Sequence, residues 1–276
     1  MSFNDIIVHV DGTEAAKARV AFAVDLAKAQ NAHLVGVAFA PRALLPLYGA
    51  DVGLADMSGV LQGVKAQGEA ALESFKAAAA AAGVSAEGRL MQGVSEEFPH
   101  DFALLARQVD LTILGQPRDG DPLIGQYALV ERCLFASGRP VMIVPAAPTK
   151  IALDGTIVAA WDGSAEAARA FNDAQTFLKP AKRVVLLVGV KEGEKSAPPT
   201  DDMVTHLKRH GVNVEVAQVP ATEGDIGRLL LTQAKKLGAD LIVMGAFHHS
   251  RWREFILGGV TLTMLEEATI PLFMAH

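Results

Sequence analysis

Cysteine is almost absent: Cys133 is the only one in 276 residues. That excludes an intrachain disulfide framework and any metal or redox site built from several cysteines. Basic residues give no excess either, since 25 Lys and Arg face 31 Asp and Glu, a formal net charge of −6. Bulk electrostatic attraction to a phosphate backbone is therefore missing, and no nucleic-acid partner is expected. No apolar run approaches the ~18 residues of a membrane-spanning helix. The opening Met1-Ser2-Phe3-Asn4-Asp5 lacks a basic segment, and the apolar run at 6–10 is far too short for a signal core. The expectation is a cytoplasmic chain with no membrane partner.

What is present is a normal globular composition, half apolar and one-fifth charged, long enough for two ordinary domains. The chain also repeats itself. Ile6-Ile7-Val8-His9-Val10 runs into Asp11-Gly12-Thr13, and Thr156-Ile157-Val158-Ala159-Ala160-Trp161 runs into Asp162-Gly163-Ser164. Val109-Asp110-Leu111-Thr112-Ile113-Leu114-Gly115 answers Ala239-Asp240-Leu241-Ile242-Val243-Met244-Gly245. Further on, Arg139-Pro140-Val141-Met142 answers Ile270-Pro271-Leu272-Phe273. The order is the same in both halves, so the chain reads as a duplication with domains at 1–147 and 151–276. Ala146-Ala147-Pro148-Thr149-Lys150, small and proline-broken, reads as the linker.

Short β-branched runs alternate with helix-length segments. Strands are expected at 6–10, 34–39, 87–92, 111–115 and 141–145, then at 156–160, 183–190, 214–219, 241–245 and 272–275. Helices are expected at 15–30, 60–82, 96–108 and 123–136, then at 165–178, 202–210, 226–236 and 259–268. Strands this apolar on both faces belong to a parallel sheet covered by helices, with right-handed crossovers. Each half is thus an α/β, doubly wound, five-stranded parallel domain. The first half also carries a long connection at 41–59, rich in Leu, Gly and Pro, which reads as a lid, as a contact surface or as a plain outer loop.

Ligands of such sheets sit at the carboxyl ends of the strands. In the second half, Asp162-Gly163-Ser164 and the segment from Gly245 to Thr261 converge there. Gly258-Gly259 would leave helix N–H groups unobstructed toward an anion, Gly245 would turn the chain close to a ligand, and Arg251 and Arg253 could add positive charge. These features suit a phosphate.

The strand ending in Asp-Gly-Ser, the run at 238–245 and the Gly258-Gly259-Val260 helix start resemble the universal stress protein family, here in tandem. The resemblance implies a Rossmann-like fold of the adenine nucleotide alpha hydrolase type. It implies an intrachain pseudo-dimer, further dimerisation and protein partners of unidentified kind. It also implies ATP, or a related adenine nucleotide, held through Gly-x2-Gly-x9-Gly-Ser/Thr with an aspartate on the adenosine portion. Carried onto the second half, the nucleotide-binding residues are Asp162, Gly163, Gly245, His248, Gly258, Gly259 and Val260. Two of them depart from the pattern: His248 replaces the second glycine, and Gly259 replaces the hydroxyl residue. Trp161 would either stack on a base or fill its pocket.

The first half departs further. Its loop holds Asp119 and Asp121, which would repel an anion, and Tyr127 and Ala128 stand where Gly258 and Gly259 do. No nucleotide is expected there. Plainer roles stand beside these: Asp11 and Asp162 as helix-start residues, Gly258-Gly259 as a close-packing device, and Cys133 as a buried small hydrophobe. His248-His249 has no further ligand motif, so no metal is expected. The glycine and lysine spacing of 189–196 is wrong for a phosphate loop. No catalytic constellation is found. Three readings stay open: a nucleotide-binding regulatory module of stress-response type, a stress protein acting through protein contacts, and a slow ATPase.

Overall fold

The computed structural model describes residues 2–43, 54–117, 125–147, 154–191, 198–221, 226–246 and 259–276. The chain divides into two units, one built mainly from Phe3–Arg139 and the other from Pro140–Pro145 with Thr149–His276.

In the first unit, β1 (Asp5–His9) leads through α1 (Glu14–Gln30) to β2 (His33–Ala43), then through α2 (Leu54–Ala82) to β3 (Ala86–Val94). A 3₁₀ turn at Ser95–Glu97 and α3 (Phe98–Ala106) lead to β4 (Leu111–Gly115), which α4 (Gln126–Ala136) follows. The strands are parallel in the order β3-β2-β1-β4. Both faces of the central strands are covered, and Ile6, Val8, Leu34, Val37, Leu111 and Ile113 are fully buried. That explains why these strands read as continuous apolar runs rather than alternating ones.

In the second unit, β5 (Val141–Val144) precedes β6 (Thr156–Ala160), α5 (Ala165–Asp173), α6 (Gln175–Leu178) and β7 (Arg183–Lys191). Then follow α7 (Asp201–Arg209), β8 (Val214–Ala221), α8 (Ile226–Lys236), β9 (Leu241–Gly245), α9 (Gly259–Glu267) and β10 (Leu272–Ala275). The parallel order is β10-β9-β6-β7-β8. The doubly wound α/β class read from the sequence is the fold observed.

The sequence places the strand at 141–145 in the first half. In the structure β5 sits with the second unit, because it lies antiparallel on β10, with Met142 opposite Phe273. The helix expected over 165–178 is interrupted at Ala174, whose φ of −82° and ψ of 5° leave the helical region. There the Gln175 side-chain amide donates to the Phe171 carbonyl at 3.2 Å, occupying the acceptor a continuous helix would use. The 41–59 connection is shorter than expected, since β2 runs to Ala43 and α2 starts at Leu54; the span 44–53 between them lies outside the described residues. Gly59 lowers helix propensity by about 1 kcal/mol, so the stretch 54–59 reads as part of the connection although it is the start of α2.

Candidate functional site

Strand order reverses between β1 and β4 in the first unit and between β6 and β9 in the second. A crevice opens at the carboxyl ends of such neighbouring strands, and each is flanked by an Asp-Gly-Ser/Thr turn and a strand-end glycine. The two turns are built alike. Thr13 N donates to Asp11 Oδ1 at 2.8 Å, and Thr13 Oγ1 caps α1 by accepting from Ala16 N at 3.1 Å. Ser164 N donates to Asp162 Oδ1 at 3.0 Å, and Ser164 Oγ caps α5 by accepting from Ala167 N at 3.1 Å. The N-cap is therefore the hydroxyl residue in each unit, and the aspartate closes the turn before it. One carboxylate oxygen of each aspartate is left for another partner.

In the first unit that partner is Arg19, buried at 4% exposure. Its Nη2 donates to Asp11 Oδ2 and its Nε to the His9 carbonyl, both at 2.8 Å. The guanidinium packs directly on Gly115, where a β-carbon would overlap Nη1. Burial works to raise the Asp11 pKa, but the charges of Arg19 and His9 and the bonds from Thr13 outweigh it and hold the carboxyl down at about 2. The same cluster acts on His9, whose side chain is buried beside Arg19 and pushed down to about 3, mainly by desolvation. The space in front of Gly115 is filled by an internal cation whose charge Asp11 already offsets. Asp119 and Asp121 lie outside the described residues. Tyr127 and Ala128 sit in the first turn of α4.

Among the described residues the second unit has no counterpart of this arginine. Arg19 follows Asp11 by eight residues; the same step after Asp162 reaches Ala170, which is fully buried in α5. Asp162 is exposed, and among the described residues no cation is paired with it. Gly163 sits at φ +80°, a left-handed conformation that a side chain would strain. Gly245 permits a close approach, and the approaching group is α5: a β-carbon there would lie 2.6 Å from the Ala167 amide nitrogen. Gly259 opens α9 with nothing within 4 Å of where its β-carbon would be, and Val260 follows in the first turn. His248 and Gly258 lie outside the described residues, as do Arg251, Trp252 and Arg253. Trp161 is held away from free rotation, its Nε1 donating to the Pro199 carbonyl at 3.0 Å and its ring lying 5.6 Å from Phe171.

Residues 155–276 match the family model of the universal stress protein family. The second unit is a universal stress protein domain. The whole chain is similar in fold to a universal stress protein from Archaeoglobus fulgidus, at 18% identity and a TM-score of 0.72, covering 99% of this chain and 98% of that one. It is also similar to a putative universal stress protein from Pseudomonas aeruginosa, at 15% identity and a TM-score of 0.54, covering 99% and 93%. A universal stress protein solved in complex with cAMP is similar at 20% identity and a TM-score of 0.36, covering 53% of this chain and 100% of that one. Comparison with curated proteins finds no match.

The universal stress protein domain thus brings together Asp162, Gly163 and Gly245 at one switch point, with Gly259 and Val260 opening α9, the helix between β9 and β10. Sequence reasoning missed Arg19 and His9. A signal existed, because α1 buries Ala16, Val20, Ala23 and Ala27, and an arginine at 19 shares that apolar face. Cys133 is fully buried in α4 and its thiol is pushed up to about 12 by desolvation, so it acts as a small hydrophobe. Among the described residues no group of three or more His, Cys, Asp or Glu could hold a metal ion, and no helix is long and apolar enough to cross a membrane.

Proposed function

We propose that the second unit binds an adenine nucleotide, ATP or a close relative, and that the chain acts as a nucleotide-responsive regulatory module of stress-response type. The observation that carries this reading is the substitution of Ala170 for Arg19 between the two repeats. It leaves Asp162 exposed and without a cationic partner among the described residues. Asp162 would accept from hydroxyl or amino donors of the nucleoside. The backbone N–H groups opening α9 at Gly259 and Val260 would face the phosphates, with the positive end of the helix dipole behind them. His248 and Gly258 complete the phosphate loop in this reading, and Gly163 and Gly245 hold the two loops at the strand ends.

Replacing a hydroxyl residue with Gly259 removes one hydrogen bond from the phosphates but leaves the N–H in place. The site is therefore a weak one that responds to nucleotide concentration. The test is to denature freshly purified protein and chromatograph the supernatant. Adenine nucleotide in the supernatant, or a thermal shift at millimolar ATP, supports the reading. Its absence, together with no thermal shift at millimolar ATP, contradicts it.

A further inference from the structure

Helix α7 crosses from the carboxyl end of β7 to the amino end of β8, its parallel neighbour. The last turn of α7 therefore lies at the opposite end of the sheet from the crevice beside Asp162. Leu207 is the buried residue of this helix, while Asp202, Thr205, His206, Lys208, Arg209 and His210 are exposed.

His206 and His210 are four residues apart, so their side chains stand on one face, one turn above the other. His210 is the C-cap of α7, and its backbone N–H donates to carbonyls of the last turn, that of His206 among them. The two ring centres are 4.6 Å apart and the ring planes are inclined at 60°. Among the described residues neither ring enters a side-chain hydrogen bond or an ion pair.

Two imidazoles that share one ion at ~2.0–2.1 Å per nitrogen, in adjacent positions near a right angle, hold their ring centres roughly 4.5 Å apart. The observed spacing fits that arrangement. The last carbonyls of α7 carry the negative pole of the helix dipole, and Asp202 adds a carboxylate one turn before His206 on the same face. Lys208 and Arg209 oppose this field, so affinity must come from the paired nitrogens themselves. Among the described residues no third His, Cys, Asp or Glu completes a set. Two nitrogens and water suit Cu(II) or Ni(II) better than the closed four-ligand shell of structural zinc.

We propose that His206 and His210 together bind one divalent transition-metal ion, Cu(II) ahead of Ni(II) and Zn(II), at a two-nitrogen surface site completed by water. The ion clips the last turn of α7 to its cap, and it binds the folded chain in preference to the unfolded one. This site stands whether or not the second unit binds nucleotide.

The probe for the test is Ni(II) alone, titrated calorimetrically into the full, untagged chain in a non-coordinating buffer, with thermal denaturation read in parallel. Binding at the tightest site should saturate at one ion per chain and raise the melting temperature. His206→Gln and His210→Gln, both exposed changes, should each weaken that site about tenfold or more and remove the thermal shift. His248→Gln together with His249→Gln should leave both readouts unchanged. Thr205→His combined with His206→Gln keeps the number of histidines but turns one off the shared face, and should bind as weakly as His206→Gln alone. Absence of saturable binding, loss of the tightest site only with the changes at 248 and 249, or full affinity in the displaced variant would overturn the proposal.

Discussion

The guanidinium of Arg19 occupies the space that any side chain at Gly115 would need. The arginine is buried and bonded to the His9 carbonyl and to Asp11. At the matching position of the second unit stands Ala170, which is fully buried in α5. The space before Gly115 is thus taken by a side chain of the first unit itself.

Arg19 and Asp11 should behave as a buried pair. Removing one partner from such a pair strands the other charge and typically costs about 3–5 kcal/mol. Arg19→Met should therefore lower stability by that order in urea denaturation. Adding Asp11→Asn should recover part of the loss, because the stranded carboxylate is gone. Equal stability of the natural chain and Arg19→Met would contradict the reading of a buried, coupled pair.

Burial of neutral His9 sets a pH dependence. Its pKa falls from 6.5 to about 3 on folding, so the unfolded chain binds the extra proton between those values. This contribution is fully present above pH 6.5 and shrinks as pH falls toward 3, at about 1.4 kcal/mol per unit once the unfolded histidine is protonated. Asp11, held at about 2, adds a loss that begins below its ordinary value of 3.8. Chemical denaturation of the natural chain and His9→Phe at pH 7 and pH 5 checks the sign: the natural chain should lose more stability between the two.

The Cys133 thiol, buried and with its pKa pushed up to about 12, should be inert to thiol reagents in the folded protein. Labelling with a chromogenic disulfide should proceed only after denaturant is added. Rapid labelling under native conditions would place Cys133 at the surface and contradict the packing of α4.

Much of this fold was legible because its strands are buried on both faces. Ile6-Ile7-Val8 and Leu241-Ile242-Val243 leave no room for an alternating surface pattern, and each is followed by a turn residue with a clear local function. The antiparallel ladder of β5 on β10 was not legible, because Val141–Val144 has the same apolar pattern whichever strand it pairs with. Neither was the break at Ala174, which depends on where the Gln175 side chain donates. In the site, Asp162 and Gly245 announced themselves through repetition between the halves. Arg19 did not, since it stands inside the first helix, away from the repeated strand ends and turns, and Ala170 holds its place in the second unit.

Gly259 offers a direct test of the proposed nucleotide position. The space around its absent β-carbon is open, so Gly259→Ser should fold without strain at the start of α9. A serine hydroxyl bonded to a charged phosphate oxygen contributes on the order of 1–2 kcal/mol, about tenfold in affinity. Calorimetry of ATP with the two proteins should show that gain. Unchanged or weaker binding would mean that the phosphates do not reach the start of α9.

The central claim is that the second unit alone is open to nucleotide, and calorimetric titration of ATP into the full chain and two variants tests it most directly. The account predicts one ATP per natural chain. Asp11→Asn, which keeps an acceptor for Arg19, should leave that binding unchanged, and Asp162→Ala should abolish it. No binding to the natural chain, or binding that survives Asp162→Ala and disappears with Asp11→Asn, would contradict it.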